Sequence, residues 1–208
     1  KKHIEENQKN KDGRLVYLYA TNADEQYSNI ENAKSKGYNV LLLDGILDAH
    51  FISTLEQKYG DCQFARVDSA SIDKLIEKEE ESKESKLNDE QKESVKKAFE
   101  EIIDKTSFNV EFSNLNEADA PVEVIQNEFM RRMKEMSAMN GMSMWGGMPD
   151  SYTLMLNANN PVIAGLVDKN EEEQKNTIHQ LYDLARLSKN LLKGKDLNEF
   201  VKRSFNEI

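Results

Sequence analysis

The chain has 208 residues, 32% of them charged, and a formal net charge of −10 at pH 7. This length allows one large domain or two small ones, each with its own core. The acidic excess argues against a protein that tracks nucleic-acid phosphates, because that role needs an electropositive face. The single cysteine, Cys62, excludes an internal disulfide and fits a reducing compartment, so we expect a cytoplasmic protein.

Membrane insertion is not expected. The longest aliphatic run, NVLLLDGIL, is far shorter than the ~20 apolar residues of a membrane-spanning helix. The first residues are polar, unlike a signal peptide, and begin without Met, which predicts a piece of a longer protein.

Residues 14–68 alternate between strand-like and helix-like segments. RLVYLYA, YNVLLLD and CQFARVD are rich in aliphatic and aromatic residues, and the two helix-like stretches between them end at Gly37 and Gly60. Strands without hydrophobic alternation are typical of parallel sheets covered on both faces. The pattern predicts an α/β fold, a small parallel β-α-β-α-β layer sandwich within a first domain of residues 1–76.

A charged connector is predicted at residues 77–87, because the stretch EKEEESKESK has almost no apolar side chains. The second domain, residues 88–208, opens with a capping-box pattern at Asn88 and Gln91. Three strand-like segments follow, FNVEFSN, PVEVIQ and SYTLMLN. They predict an α+β domain with a small antiparallel or mixed sheet packed by helices.

Two amphipathic helices are predicted at the end of the chain, with apolar bands wider than one packing seam requires. The bands could bury against the body of the domain or against the same helix pair of a second chain, and the periodicity fits both. Their residues are Ile178, Leu181, Tyr182, Leu184, Ala185, Leu187, Leu191 and Leu192 in the first helix, and Leu197, Phe200, Val201 and Phe205 in the second.

Seven of the eight methionines lie at residues 129–148, together with the only tryptophan, Trp145. The start of this segment is compatible with a helix, in which Phe129, Met133 and Met136 share one narrow face at ~100° per residue. The flanking methionines and the basic side chains of the remaining surface predict a cationic amphipathic helix; they are Met130, Met139, Arg131, Arg132 and Lys134.

Three interpretations of this methionine segment compete. It could be a core-facing stripe, a thioether site for a soft metal such as Cu(I), or an adaptable surface for nonpolar polypeptide. We favour the adaptable surface, because cores are usually specified by Leu, Ile and Val, and because Trp145 lies among glycines. The metal hypothesis would use Met136, Met139, Met142 and Met144.

The sequence shows no convincing catalytic or metal site. The histidines His3, His50 and His179 are dispersed, without Cys or carboxylate partners at metal-ligand spacing. GMSMWGGM lacks the Lys and Ser/Thr of a phosphate loop, so we expect no ATP binding by this chain. The alternative of a different class is an α/β enzyme or ligand-binding domain with its site at the strand carboxyl ends of residues 14–68.

Five segments resemble, in order, the C-terminal portion of the heat-shock protein 90 family of ATP-dependent chaperones. They are RLVYLYATNADEQY, GYNVLLLDGILDAHFISTLEQKYG, DAPVEVIQNEFMRRMKEM, LMLNANNPVIAGL and QLYDLARLSKNLLKGKDLNEFVKRSF. The likeness covers essentially the whole chain. The end at FNEI, without an acidic tail, favours the bacterial type.

The resemblance implies that residues 1–76 are the end of a middle domain and residues 88–208 a dimerisation domain. Its last two helices would form a four-helix bundle across a homodimer. The interface residues implied are Ile178, Leu181, Tyr182, Ala185, Leu191, Phe200, Val201 and Phe205.

The resemblance also implies that the methionine helix contacts non-native client proteins, through Phe129, Met130, Met133, Met136, Met139 and Trp145. The family uses an aromatic residue at a position that corresponds to His50, so neighbouring Phe51 is predicted to take that role. ATP and Mg²⁺ are expected only in the full-length protein, upstream of this chain. A bacterial heat-shock protein 70 type system is an expected partner, whereas nucleic acid and membrane are not.

Overall fold

The structure is a computed structural model that describes residues 4, 7–45, 47–70, 72–76, 84–127, 130–133 and 150–206. It divides the chain into two compact units, Lys1–Ser82 with Ile125–Pro149 and Lys83–Val124 with Asp150–Ile208. Both units contain helices and a small sheet. Residues 130–133, the described part of the methionine segment, are grouped with the first unit, whereas the sequence predicts one continuous domain of residues 88–208. A chain that leaves one unit and returns to it has no local sequence signature.

The first unit is built on a three-stranded parallel sheet, in which β1 (Leu15–Ala20) lies between β2 (Val40–Leu42) and β3 (Cys62–Arg66). Gly60, with φ of 38°, ends its second helix in the left-handed conformation that favours glycine, as predicted. The elements in chain order are β1 (Leu15–Ala20), α1 (Tyr27–Ser35), β2 (Val40–Leu42), α2 (Asp48–Tyr59), β3 (Cys62–Arg66) and α3 (Ile72–Leu75).

Successive side chains of β1 enter two different apolar clusters. Val16, Leu18 and Ala20 join a cluster with residues of α1 and α3. Tyr17 and Tyr19 join a second cluster with residues of α2 and β3. Helices therefore pack on both sides of β1, which explains why its sequence lacks alternation between apolar and polar residues.

The second unit contains a sheet in which β6 (Tyr152–Asn157) lies between β4 (Phe108–Ser113), to which it is parallel, and β5 (Val122–Gln126), whose last two residues are grouped with the first unit. Of the arrangements that the sequence allowed, this pairing excludes the purely antiparallel one. The strands are β4 (Phe108–Ser113), β5 (Val122–Gln126) and β6 (Tyr152–Asn157); the helices are α4 (Asp89–Glu100), α5 (Pro161–Ala164), α6 (Glu171–Ser188) and α7 (Gly194–Asn206), with a 3-10 helix at Gly165–Asp168. One core joins the sheet to α4 and α6.

The start of α4 confirms the predicted capping box. The Asn88 side chain accepts from the Gln91 N–H at 2.8 Å, and the Gln91 side chain accepts from the Asn88 N–H at 3.0 Å. Just before it, Leu87 is 3% exposed and belongs to the core of the second unit. The last residue of the predicted connector therefore packs in the core of the second unit, whereas residues 77–83 lie outside the described part.

Candidate functional site

The first unit contains a largely apolar cavity of about 410 Å³ between its sheet and α2. Phe51 and Tyr59 of α2 are 56% and 50% exposed, so the wall that they form borders solvent. Tyr17 and Phe64 stack on the sheet side with ring centroids 5.0 Å apart. The lining residues are Leu15, Tyr17, Leu41, Leu43, Phe51, Leu55, Tyr59, Asp61, Cys62 and Phe64.

The lining of this cavity differs from the site that the enzyme alternative predicts. That alternative needs polar groups that converge at the carboxyl ends of the strands. The lining holds one carboxylate, Asp61, while Ala20 and Arg66, the last residues of β1 and β3, are not part of it. Such a cavity can hold an apolar side chain or ligand.

The sequence named seven residues for client contact, and the structure describes three of them. Phe51 lies exposed at the cavity wall, Met130 is 37% exposed, and Met133 is partly buried. His50 is exposed on α2 beside Phe51. The other named residues, Phe129, Met136, Met139 and Trp145, lie outside the described residues, as do Met142 and Met144 of the metal hypothesis.

Two arginines attach the described start of the methionine segment to the first unit. Arg131 is 6% exposed and donates from Nη2 to the Tyr19 hydroxyl at 2.7 Å. Arg132 donates from Nη1 to Glu56 Oε2 at 2.9 Å and from Nη2 to the Phe64 carbonyl at 2.8 Å. The sequence placed both on a cationic surface of the helix; this is wrong for Arg131, because periodicity does not reveal a hydroxyl partner from β1.

The residues named for the dimer interface divide into two groups. Val201 is 40% exposed and Phe205 is 71% exposed. The remaining six are buried or partly buried in the second unit itself; they are Ile178, Leu181, Tyr182, Ala185, Leu191 and Phe200. From the apolar band of α6, Leu184 and Leu187 are 46% and 40% exposed. Among the described residues, α6 and α7 thus leave these four large apolar side chains available to a partner chain.

A partly buried ion-pair network joins α6 to α7. Asp183 accepts from Arg186 and from Arg203, each at 2.6 Å, and Arg186 also donates to Asp196 at 2.9 Å. The Arg186 guanidinium lies 4.3 Å from the centre of the Tyr182 ring. Burial acts to lower the pKa of Arg186, but the hydrogen bonds to Asp183 and Asp196 outweigh it and raise the pKa. The network therefore links α6 to the helix that carries Val201 and Phe205.

Neither a metal centre nor a membrane span is found in the part of the chain that the structure describes. There, no group of three or more His, Cys, Asp or Glu could hold a metal ion. No helix within those ranges is both long and apolar enough to cross a bilayer.

The chain is similar to a family of known proteins along its whole length. The family model described as "Hsp90 protein" matches residues 1–208. The chain is 38% identical to the chaperone protein HtpG of Bacteroides thetaiotaomicron in a comparison that spans 274 residues with its gaps and covers 99% of this chain and 40% of the relative. It is 43% identical over 182 residues to that of Porphyromonas gingivalis, with 86% of this chain and 26% of the relative covered. The chain thus spans about two fifths of the length of the first relative.

Proposed function

This chain belongs to the Hsp90 protein family, and from this premise we propose that it supplies client binding and homodimerisation to a longer molecular chaperone. The first unit, as the end of a middle domain, presents an apolar surface to non-native proteins. The second unit holds two copies together through a four-helix bundle of α6 and α7. The chaperone acts in the bacterial cytoplasm, together with a heat-shock protein 70 type system.

The observation that carries the client-binding part is exposed apolar surface beside the cavity of the first unit. Phe51 and Met130 expose apolar side chains to solvent, although the chain is strongly charged overall, with a net charge of −10. Flexible Met side chains repack against irregular nonpolar surfaces, and aromatic rings contribute large contact areas. Such a surface supports weak binding to many partners. Phe129, Met136, Met139 and Trp145 extend it in this proposal.

Client binding is expected to weaken at least tenfold when Phe51 and Met130 are both changed to Ser. Each substitution removes an exposed apolar anchor that contributes roughly 1 kcal/mol when partly buried by a client. The measurement is fluorescence anisotropy with a reduced, carboxymethylated protein that stays unfolded. Thermal stability should change little, because neither side chain is in the core.

The matched control for this variant is Tyr27→Ser. Tyr27 is 64% exposed, but it lies on α1, which packs on the other side of β1 from α2. Its loss should leave the affinity unchanged. Equal weakening by the control and the double variant would show a nonspecific apolar effect, and unchanged binding in the folded double variant would refute the proposed surface.

We propose that ATP and Mg²⁺ bind to the part of the full-length chaperone that lies upstream of this chain, and we expect this chain to bind no nucleotide. The phosphate-loop pattern is missing from the sequence, and the cavity of the first unit is lined mainly by apolar side chains. Calorimetric titration with Mg-ATP should therefore give no saturable heat. A site with micromolar affinity would contradict the assignment of this chain as a non-catalytic part.

A further inference from the structure

Arg132 joins the methionine segment to α2 and β3, two of the elements that line the cavity. Its guanidinium bonds Glu56 on α2 and the Phe64 carbonyl on β3, while Glu56 Oε1 accepts the Phe64 N–H at 2.8 Å. The side chains of Arg132 and Glu56 are 20% and 27% exposed. Because these charge-assisted hydrogen bonds are largely shielded from water, they are stronger than those of an exposed ion pair. We call this arrangement the Arg132 bridge.

Arg131 fixes the orientation of the same helical turn. It bonds Tyr19, which is 2% exposed in the apolar cluster beneath α2. The turn begins where Asn127 accepts hydrogen bonds from the Met130 N–H, at 3.2 Å through its side chain, and from the Arg131 N–H, at 3.0 Å through its carbonyl. Neighbouring helical residues project about 100° apart, so two adjacent anchored arginines restrict both rotation and sliding of the turn.

The Arg132 bridge lies next to the client residues of α2. Leu55 and Phe64, which line the cavity with Phe51, are respectively the chain neighbour of Glu56 and its hydrogen-bond partner. Met130 and Met133 lie on the turn that Arg132 anchors. The bridge thereby holds the apolar side chains of α2 and those of residues 130–133 at a fixed separation within the first unit.

We propose that Arg132 is a positioning residue that makes Phe51 and Met130–Met133 one extended surface, selective for unfolded segments long enough to contact both. This inference rests on the proposed client-binding function. When two weak contacts lie at a fixed separation, the second forms intramolecularly at a high effective concentration once the first is made. A short apolar segment contacts one site only and gains nothing from the bridge.

The test compares a long and a short ligand on Arg132→Met, which removes the charge and keeps an unbranched apolar side chain. Binding of the carboxymethylated unfolded protein should weaken about tenfold, while binding of an apolar pentapeptide should stay within about twofold. In the long-ligand assay, Phe51→Ser should have a smaller effect in Arg132→Met than in the unmodified chain. Arg132→Lys, which cannot bond Glu56 and Phe64 in the same way, should be intermediate.

Two further measurements separate positioning from general destabilisation. Hydrogen exchange should accelerate at the amides of residues 130–133 and not in α2. Glu56→Gln keeps the oxygen that accepts the Phe64 N–H but loses the charge facing Arg132, so it should reproduce the length-dependent loss. The control is Lys175→Met, which breaks an exposed pair with Glu171 in the second unit and should change neither ligand's binding.

Two outcomes would overturn the inference and leave the proposed function standing. One is that the variants bind the long and the short ligand equally more weakly; the other is that folded Arg132→Met and Glu56→Gln bind the long ligand as tightly as the unmodified chain. If Arg132→Met does not fold, the same comparison of long and short ligands on Glu56→Gln tests the inference. If the unmodified chain binds neither ligand, the proposed function fails, and the inference that rests on it fails too.

Discussion

Replacing Asp183 with Asn is expected to lower the free energy of unfolding of the second unit by about 2–4 kcal/mol. The Asp183 side chain is 9% exposed and accepts from Arg186 and Arg203. Asparagine keeps the shape but leaves Arg203 without this carboxylate partner, and leaves Arg186 with Asp196, which is 55% exposed. A buried charge whose partner is removed retains its desolvation cost without the compensating attraction.

The matched control for Asp183→Asn is Glu171→Gln on the same helix. Glu171 pairs with Lys175 at 2.6 Å, but their side chains are 81% and 44% exposed, so water screens the pair and its loss should hardly matter. Urea unfolding followed by circular dichroism would measure both variants. Equal stability of the two would mean that the network joining α6 and α7 contributes nothing beyond a surface ion pair.

The strands and longer helices were predictable because their signals are local. Uninterrupted apolar runs predicted the parallel strands of the first unit, and β1 is indeed packed on both sides. Gly60 marked the end of α2, and the Asn88–Gln91 pair marked the start of α4. Each of these features depends on residues within a few positions of one another, which a sequence displays directly.

Contacts between distant segments were not predictable in this way. Arg131 is buried because a tyrosine hydroxyl lies near it in space, 112 residues earlier in the chain. Asn157 and Asn159 are also buried, since their side chains bond the backbone of Leu115 and Asn116. A polar residue is predicted to be exposed unless its partner is known, and that partner is defined only by the fold.

Helical periodicity has a related limit at α6 and α7. It identifies apolar faces, but it does not tell whether a face is covered by the same chain or by a second copy. Leu181 has the spacing expected of an interface residue, yet it is 8% exposed within its own unit. Changing it to Asp therefore tests folding of the second unit and not association.

The association test that the structure supports is Phe205→Asp, which is expected to raise the dimer dissociation constant at least a hundredfold. Phe205 is 71% exposed in the single chain, so its substitution leaves the core intact. It lies four residues after Val201 on one face of α7, while Leu184 and Leu187 form a similar pair on α6. Burying a Phe side chain contributes about 1.5–3 kcal/mol to the free energy of association. Because a twofold-symmetric dimer carries the substitution in both copies, this contribution is lost twice.

Sedimentation velocity across micromolar concentrations would separate association from folding for three variants. Phe205→Asp should sediment as a folded monomer where the unmodified chain is a dimer. Lys202→Glu, at an exposed position of the same helix, should remain a dimer. Leu181→Asp should lose thermal stability, because it places a charge in the apolar core. A monomeric unmodified chain at high micromolar concentration, or a dimeric Phe205→Asp, would show that α6 and α7 do not supply the interface.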